Sequence, residues 1–298
     1  MEKKATKIVD LLVEDVRFPT SLELDGSDAT HPDPDYSAVY VTLVTDSEDF
    51  KGYGITFTLG RGNEIVLHCV DSLRFLVINK DIKEIQANMG SWVRSLAHES
   101  QLRWIGPEKG PLHLAVAGIL NSFWDLWGKM ESKPVWKLLV DMTPEQLVSL
   151  VDFRYMEDCI TKDEAIEMLQ KEVPMKSKRE VHIRMSGFPA YTTQVGWLGY
   201  SDEKIRTLSK IFLDRGFTAF KMKVGSDLED DKRRLSILRE CIGWEHLVMV
   251  DANQKWSVLE AIEWMKELAQ FKLHWIEEPT SPDDILGHLG QVFYIEIG

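Results

Sequence analysis

The first third of the chain alternates apolar and polar positions before it changes to helical spacing. Residues 7–17 alternate as a half-buried strand does, and two further strand-like runs, 38–44 and 53–59, follow a polar loop at 24–36. From residue 63 to about residue 98, the apolar positions recur with the period of a helix. The pattern therefore predicts three strands followed by helices.

The middle of the chain has two helical regions with one strand between them. A strong helical pattern covers 113–139, with a break at Pro134, after a loop at 101–110. A strand is predicted at 147–153, and a charged helical insertion follows it to about Val181.

Strands and helices alternate regularly in the second half of the chain. Repeated β-α units of this length indicate a parallel sheet with right-handed crossovers, either doubly wound or closed as a (β/α) barrel. We therefore predict an α/β fold, with a first domain over 1–146 and a second over 147–298. The predicted strands are 190–197, 218–224, 247–251 and 273–277, and the helices between them are 202–215, 228–241 and 257–271.

The composition excludes several classes of partner. With 298 residues, of which 44% are hydrophobic and 28% charged, the chain can bury a sizeable core. It has no run of about 18 apolar residues, so no membrane span is expected. The formal net charge of -13 argues against nucleic-acid and membrane-surface partners, because both require a basic face.

The cysteines and the N-terminus indicate a compartment. Cys69, Cys159 and Cys241 are widely spaced and form no CxxC pair, which fits a reducing environment without a disulfide framework. The first residues mix Lys with Glu and Asp, and they lack both a long apolar stretch and the composition of a transit peptide. The residues alone therefore predict a cytosolic protein.

Charged residues fall where three successive predicted strands end. Lys221 and Lys223 lie two residues apart on one strand, so they point to the same face, which cannot be a dry core. Asp251 and Glu277 follow the apolar runs of the next two strands. In α/β barrels, the carboxyl ends of the strands carry the active site.

These residue types suit one kind of chemistry. Carboxylates at neighbouring strand ends are oxygen ligands suited to Mg²⁺. A lysine beside another cation and a metal has its ammonium form disfavoured, so it can act as a base. A metal next to a lysine base is suited to removing a proton adjacent to a carboxylate.

Each feature by itself has an ordinary explanation. A KxK pair is usually a solvated strand edge, and an Asp after an apolar strand often caps the next helix. Glu-Glu-Pro alone marks the start of a helix or loop. The ordered set, with each member one β-α unit after the last, favours the functional interpretation.

The order KxK, DxN, EEP resembles the mandelate racemase subgroup of the enolase superfamily. The helix 117–129 resembles that family's capping domain, and the strings RWIGPEKG, VDFRY, YTTQVGWLGYSD, VDANQKW and WIEEPTSPDDILGH resemble the L-fuconate dehydratases and their animal mitochondrial relatives. The resemblance implies an α+β capping domain followed by a (β/α) barrel.

The resemblance also implies roles for individual residues. Lys223 matches the acid/base lysine, and Lys221 matches a lysine near the substrate carboxylate. Asp251 and Glu277 match two of three Mg²⁺ ligands, and Asn253 matches a polar residue beside them. Four residues of the capping domain match positions that close over the sugar chain: Gly26, Ser27, Asp28 and Tyr36.

The implied reaction is the dehydration of an acid sugar. L-fuconate would lose its C2 proton and its 3-hydroxyl to give a 2-keto-3-deoxy acid, in mitochondria if the resemblance to the animal relatives extends that far. A different acid sugar remains an alternative substrate, and a non-catalytic interaction chain on the same scaffold is an alternative function. Whether the chain is an oligomer stays open.

The family's barrel needs seven or eight strands and typically about 250 residues, more than the predicted second domain provides. We therefore expect a truncated barrel that is inactive unless another chain completes it. No residue here matches the third metal-ligand carboxylate, the histidine on the opposite face of the substrate, or the aspartate that orients that histidine. The tail from Leu289 to Gly298 is predicted to be a short β-prone run.

Overall fold

The structure, a computed structural model, describes residues 6–106 and 108–294. Within these residues, three strands form one sheet and four strands form another. No helix in this part of the chain is both long and apolar enough to cross a membrane.

The described residues divide into two compact units. The first comprises the residues up to Phe18 together with 36–187, and the second comprises 19–35 together with the residues from Phe188 onward. This division differs from the boundary predicted from the sequence because the helical insertion belongs with the first unit and the loop 19–35 with the second. The predicted domain boundary itself stays a prediction.

The sheet of the first unit is antiparallel, with the strand order β1-β2-β3. β1 is Ile8–Arg17, β2 is Ser37–Thr45 and β3 is Lys51–Thr58, which confirms the three predicted strands. Val39 and Val41 of the central strand are buried in the core, as alternation along a half-buried strand requires.

Helices of the first unit cover this sheet. The longest of them packs directly on β3, where Gly52 and Gly54 permit a close approach. A Cβ atom on Gly54 would lie 2.4 Å from the carbonyl oxygen of Gly118. The helices in this region are α1 (Asn63–Ser72), α2 (Ile82–Ala87), α3 (Met89–Ala97) and α4 (Pro111–Met130).

Four further helices complete the first unit: α5 (Val135–Asp141), α6 (Pro144–Ser149), α7 (Lys162–Glu172) and α8 (Lys176–Ser186). The last two confirm the charged helical insertion. The strand predicted at 147–153 is wrong. A capping box between Thr143 and Gln146 starts a helix there, with Pro144 in its first turn.

The second unit is built on a parallel sheet with the strand order β4-β5-β6-β7. This arrangement confirms the predicted β-α alternation and parallel pairing. Its strands are β4 (Thr192–Gly196), β5 (Ala219–Lys223), β6 (Leu247–Asp251) and β7 (Ile276–Glu277). Its helices are α9 (Asp202–Asp214), α10 (Leu228–Ile242), α11 (Val258–Leu268) and α12 (Ile285–Tyr294).

Alternation along β5 separates the core of the second unit from the candidate site. Phe220 and Met222 are fully buried in an apolar cluster with residues of α10. Lys221 and Lys223 occupy the alternate positions and therefore point to the opposite face of the sheet. The strand thus presents an apolar face to the helices and two cations to the other side.

The end of the described chain differs from the sequence prediction. The β-prone run predicted from Leu289 is wrong as far as Tyr294, because these residues belong to α12. A short apolar run does not distinguish a strand from a buried helix by its periodicity. The rest of the predicted run lies outside the described residues.

Candidate functional site

The carboxyl ends of β5, β6 and β7 bring the predicted charged residues together. In the register of the parallel sheet, Lys223 pairs with Asp251 across β5 and β6, and Asp251 pairs with Glu277 across β6 and β7. Adjacent strands lie about 4.8 Å apart, so these side chains are close neighbours. Lys221 points to the same face one pleat earlier.

Asp251 is the centre of the resulting ion cluster. Its Oδ2 atom lies 2.7 Å from Lys223 Nζ and 3.1 Å from Lys221 Nζ. Lys221 Nζ also lies 2.7 Å from Glu277 Oε1. Lys223 Nζ donates a second hydrogen bond to Asn253 Oδ1, at 2.8 Å. The structure therefore places all four predicted charges in one connected network.

Burial makes this network energetically important. Lys221, Lys223 and Asp251 are 5%, 7% and 2% exposed, whereas the Glu277 side chain is 35% exposed. Burial alone would lower the pKa of Lys221, but its bonds to Glu277 and Asp251 outweigh burial, and the pKa is raised. Burial alone would raise the pKa of Asp251, but the hydrogen bond and charge of Lys223 outweigh it, and the pKa is lowered.

Two aromatic rings flank the lysine ammonium groups. Lys223 Nζ lies 5.3 Å from the ring centroid of Trp197, and Lys221 Nζ lies 5.2 Å from that of Tyr191. Both distances are within the range of a cation–π attraction. The rings therefore add to the forces that fix the two ammonium positions.

The turns after β6 and β7 hold unusual backbone conformations. Asn253, Gln254 and Glu278 have φ values of 47°, 63° and 46°, in the left-handed region that non-glycine residues seldom adopt. The Gln254 amide donates to the Glu278 carbonyl at 2.7 Å, so each turn supports the other. Such strain concentrates at functional sites, and here it places Asn253 beside Lys223.

Three of the predicted substrate-contacting residues lie in a loop of the second unit. The carbonyl and Oγ of Ser27 accept hydrogen bonds from the amides of Leu198 and Gly199, each at 3.0 Å. Thr30 Oγ1 donates to the carbonyl of Asn253 at 2.7 Å, across 223 residues of sequence. The loop that contains Gly26, Ser27 and Asp28 is therefore tied to the ends of β4 and β6.

The remaining predicted contacts differ in their surroundings. Asp28 is buried and accepts from the amides of Thr30 and His31, and its carboxylate lies 3.1 Å from His31 Nδ1. Tyr36 belongs to the first unit, where its ring packs edge-on against Phe57 with 4.9 Å between centroids. The assignment of substrate contacts to this group stays a prediction.

Two charges on α10 that are fully buried were missed by the sequence analysis. Arg234 and Asp231 are both 0% exposed, and Arg234 donates to the carbonyls of Gly196, Trp197 and Lys223 at the ends of β4 and β5. The sequence contained a signal, because both residues fall on the apolar stripe of an amphipathic helix. A charge on such a stripe needs a buried partner.

The carboxylates were tested as a Mg²⁺ donor set. Asp251 and Glu277 lie on adjacent strands, and both contact Lys221. Carboxylate oxygens are the ligands that Mg²⁺ prefers, so the two residues fit the ion in kind. In 6–106 and 108–294, no three His, Cys, Asp or Glu side chains converge to hold a metal. These residues therefore supply two candidate ligands.

Sequence comparisons place these features in a known context. A family model described as enolase C-terminal domain-like matches residues 204–292. The chain is 57% identical to mitochondrial enolase superfamily member 1 of Homo sapiens over 283 aligned residues. The alignment covers 95% of this chain and 64% of the relative. The chain is 50% identical to the L-galactonate dehydratase of Hypocrea jecorina over 277 aligned residues. That alignment covers 92% of this chain and 61% of the relative.

Solved structures agree with the sequence relatives. The crystal structure of human mitochondrial enolase superfamily member 1 matches with a TM-score of 0.93 and 55% identity, over 97% of this chain and 66% of that chain. A racemase from Streptomyces coelicolor with bound magnesium matches with a TM-score of 0.71 and 30% identity, over 96% of this chain and 66% of that chain. The chain spans less than two thirds of the curated relatives that it matches.

Proposed function

Because the chain belongs to the enolase superfamily, we propose that it is a Mg²⁺-dependent acid-sugar dehydratase in which Lys223 removes the proton at C2. The observation that supports this proposal is the position of the Lys223 ammonium group. It is buried and lies 2.7 Å from Asp251 Oδ2 and 2.8 Å from Asn253 Oδ1. A proton-transfer group is thereby fixed beside Asp251, one of the two candidate metal ligands.

The proposed reaction balances as the loss of one water molecule. Lys223 takes the C2 proton, and the electron pair of the C2–H bond moves into the carboxylate to give an ene-diolate. That pair then forms the C2–C3 double bond as the C3–O bond breaks; the leaving hydroxyl takes up one proton, which balances the proton removed from C2, and departs as water. The resulting enol loses its O2 proton and gains one at C3, which gives a 2-keto-3-deoxy acid. When bound by Asp251 and Glu277, Mg²⁺ supplies positive charge that stabilises the negative charge developing on the substrate carboxylate.

The other residues of the site would bind and orient the substrate. Lys221 lies between Asp251 and Glu277, where its charge suits a substrate carboxylate. The loop with Gly26, Ser27 and Asp28 offers backbone donors, a hydroxyl and a carboxylate, which suit a polyhydroxy acid. Tyr36 is proposed as a further contact.

L-fuconate is the substrate that we propose first, and L-galactonate is the alternative. The second is favoured by the name of the 50% identical relative from Hypocrea jecorina. The two acids differ only at C6, which is a methyl group in L-fuconate and a hydroxymethyl group in L-galactonate. A site that hydrogen-bonds a substrate hydroxyl can reject the analogue without it by about 10⁴-fold, whereas an apolar pocket discriminates weakly. The ratio of kcat/KM for this pair therefore reports the environment of C6.

The test is turnover of both acids by the purified 298-residue chain with Mg²⁺, followed by release of the 2-keto acid. Lys223→Ala should lower turnover by about 10²- to 10⁴-fold, the usual contribution of a positioned proton-transfer group. Lys210→Ala is the matched control, because the Lys210 side chain is 78% exposed and forms a surface ion pair with Asp214 one turn later on α9. Calorimetry with MgCl₂ on Asp251→Asn and Glu277→Gln tests the two ligands independently of turnover.

The outcomes separate the proposals. Turnover that survives Lys223→Ala would contradict the role of that residue. Since we expect the chain to be inactive unless another chain completes its barrel, turnover would also show that such completion occurs. A folded chain that binds Mg²⁺ but turns over neither acid would contradict the proposal that this chain acts as a dehydratase and favour a non-catalytic role on the same scaffold. Unchanged Mg²⁺ affinity in both carboxylate variants would contradict the ligand assignment.

A mitochondrial location is proposed from the name of the human relative. Subcellular fractionation with matrix and cytosolic marker proteins tests it. Recovery of the chain in the cytosolic fraction alone would contradict it and agree with the interpretation of the residues by themselves.

A further inference from the structure

The Arg234 guanidinium connects the ends of two strands beneath the candidate site. Its Nη1 atom donates to the carbonyl of Lys223 at 2.7 Å. Its Nη2 atom donates to the carbonyls of Gly196 and Trp197, at 3.1 Å and 2.9 Å. The planar fork of a guanidinium can reach acceptors on two strands at once, which an ammonium group cannot do with the same geometry.

Asp231 holds the turn that follows Lys223. Its Oδ2 atom accepts from the Gly225 amide at 2.7 Å and from Trp264 Nε1 at 3.1 Å. Gly225 has a φ of +110°, which a side chain would disfavour. Asp231 and Arg234 lie one turn apart on α10 and 3.6 Å from each other, so together they clamp the connection from β5 to α10.

We propose that Arg234 is a positioning residue for Lys223, a role that rests on the proposed function of Lys223 in proton transfer. It acts through two contacts with the surroundings of the ammonium group. One is the backbone carbonyl of Lys223 itself. The other is the backbone of Trp197, whose ring centroid lies 5.3 Å from Lys223 Nζ.

The placement of a full charge in the core supports this role over simple packing. Arg234 is 0% exposed, and its Nε atom has no hydrogen-bond partner among the described residues. Burying a guanidinium is costly unless its bonds repay the loss of water. Those bonds go to the strand ends that carry Lys223 and Trp197, so the stabilisation is concentrated at the site.

Arg239 provides a matched control on the same helix. It is 4% exposed and also donates to backbone carbonyls, those of Gly243, His246, Phe271 and Lys272, at 2.6 Å to 3.2 Å. These carbonyls precede β6 and β7 along the chain, whereas the partners of Arg234 end or follow β4 and β5. The two arginines thus have the same chemistry at opposite ends of a parallel sheet.

The experiment compares Arg234→Met with Arg239→Met in the 298-residue chain. Hydrogen exchange read by mass spectrometry should become about 10-fold faster at the ends of β4 and β5 in Arg234→Met, and in the turns before β6 and β7 in Arg239→Met. In turnover assays, Arg234→Met should lower kcat by about 100-fold, as displacement of a catalytic group by about 1 Å does. KM should change little, because Arg234 does not reach the substrate face.

Relative to Arg234→Met, the variant Arg234→Lys should regain part of the protection from hydrogen exchange and part of kcat. If Arg234→Met does not fold, Arg234→Lys takes its place in the comparison. Equal loss of kcat in the Arg234 and Arg239 variants, or unchanged exchange at the end of β5 in the Arg234 variants, would overturn the proposal. Absent turnover in the unmodified chain, or turnover that survives Lys223→Ala, would count against the proposed function instead. The exchange comparison still decides in that case whether Arg234 holds the end of β5.

Discussion

Replacing Asp251 by Asn should destabilise the second unit strongly, because Asp251 neutralises two buried lysines at once. The substitution keeps the size of the side chain and removes its charge. Lys221 would retain Glu277 as a partner at 2.7 Å, but Lys223 would retain neutral partners, Asn253 Oδ1 at 2.8 Å and the ring of Trp197. The cluster would change from a balanced set of charges to one with an excess positive charge.

The magnitude follows from the distances and the burial. At an effective dielectric constant of about 20, a pair of unit charges about 3 Å apart attracts by about 5 kcal/mol before desolvation is counted. Removing one partner of a buried pair typically costs about 3–5 kcal/mol. Since Lys221 keeps a second carboxylate, we expect about 3 kcal/mol for Asp251→Asn.

Urea unfolding followed by tryptophan fluorescence measures this change as a shift of the midpoint by about 1 M. The double variant Lys223→Met with Asp251→Asn leaves the Lys221–Glu277 pair intact and restores charge balance. The double variant should therefore be more stable than the sum of the two single losses predicts, by about 1–3 kcal/mol.

The pH dependence has a definite sign. The pKa of Asp251 is lowered in the folded chain, so its contribution to stability is full above the unfolded pKa of about 3.9 and is lost as the pH falls through the folded value. The difference between the unmodified chain and Asp251→Asn should thus shrink below about pH 4. The reasoning would be refuted if the stability losses of Lys223→Met and Asp251→Asn simply added in the double variant at pH 7. It would also be refuted if Asp251→Asn left the urea midpoint unchanged.

Three other substitutions test the supporting structure. Burial raises the pKa of Asp231 to about 6, so the contribution of this carboxyl to stability should fall as the pH rises from about 4 through 6. Asp231→Asn should remove that fall from urea midpoints measured across the range. Tyr200→Phe removes a hydrogen bond to Asp25; a loss of about 1 kcal/mol and faster amide exchange in 19–35 are expected. In Gly196→Ala, the new Cβ would lie 2.6 Å from Met222 Cα, and the urea midpoint should fall by the equivalent of about 1–3 kcal/mol. The environment of Asp231 would be contradicted if the urea midpoint of Asp231→Asn varied with pH as that of the unmodified chain does. The contacts of Tyr200 and Gly196 would be contradicted by unchanged amide exchange in Tyr200→Phe and by an unchanged urea midpoint in Gly196→Ala.

The sequence by itself determined the parallel part of the fold and the charges at its strand ends. Apolar runs four to five residues long, separated by amphipathic helices, are sufficient to predict β-α units. Lys221 and Lys223 share a face because the side-chain period of a strand is two. Asp251 and Glu277 lie at strand ends because each follows an apolar run.

Local pattern could not choose between a strand and a helix where the apolar run was short. The residues from 147 to 153 contain branched apolar side chains that suit a strand, but the capping box of Thr143 and Gln146 starts α6 just before them. The run after Leu289 failed for the same reason. In the first case the deciding signal was a helix start, which the spacing of apolar residues does not contain. In the second case α12 already begins at Ile285, four residues before the run.

Only the tertiary structure decided how distant residues meet. The register of the sheet makes Asp251 the common partner of both lysines, and the tie between Thr30 and Asn253 spans 223 residues. The position of Arg234 on the apolar stripe of α10 shows only that it needs a buried partner, and the ends of β4 and β5 supply its acceptors. Contacts of this kind depend on the packing of the whole unit, because hydrophobic burial brings the strands together and buried charges must then find partners.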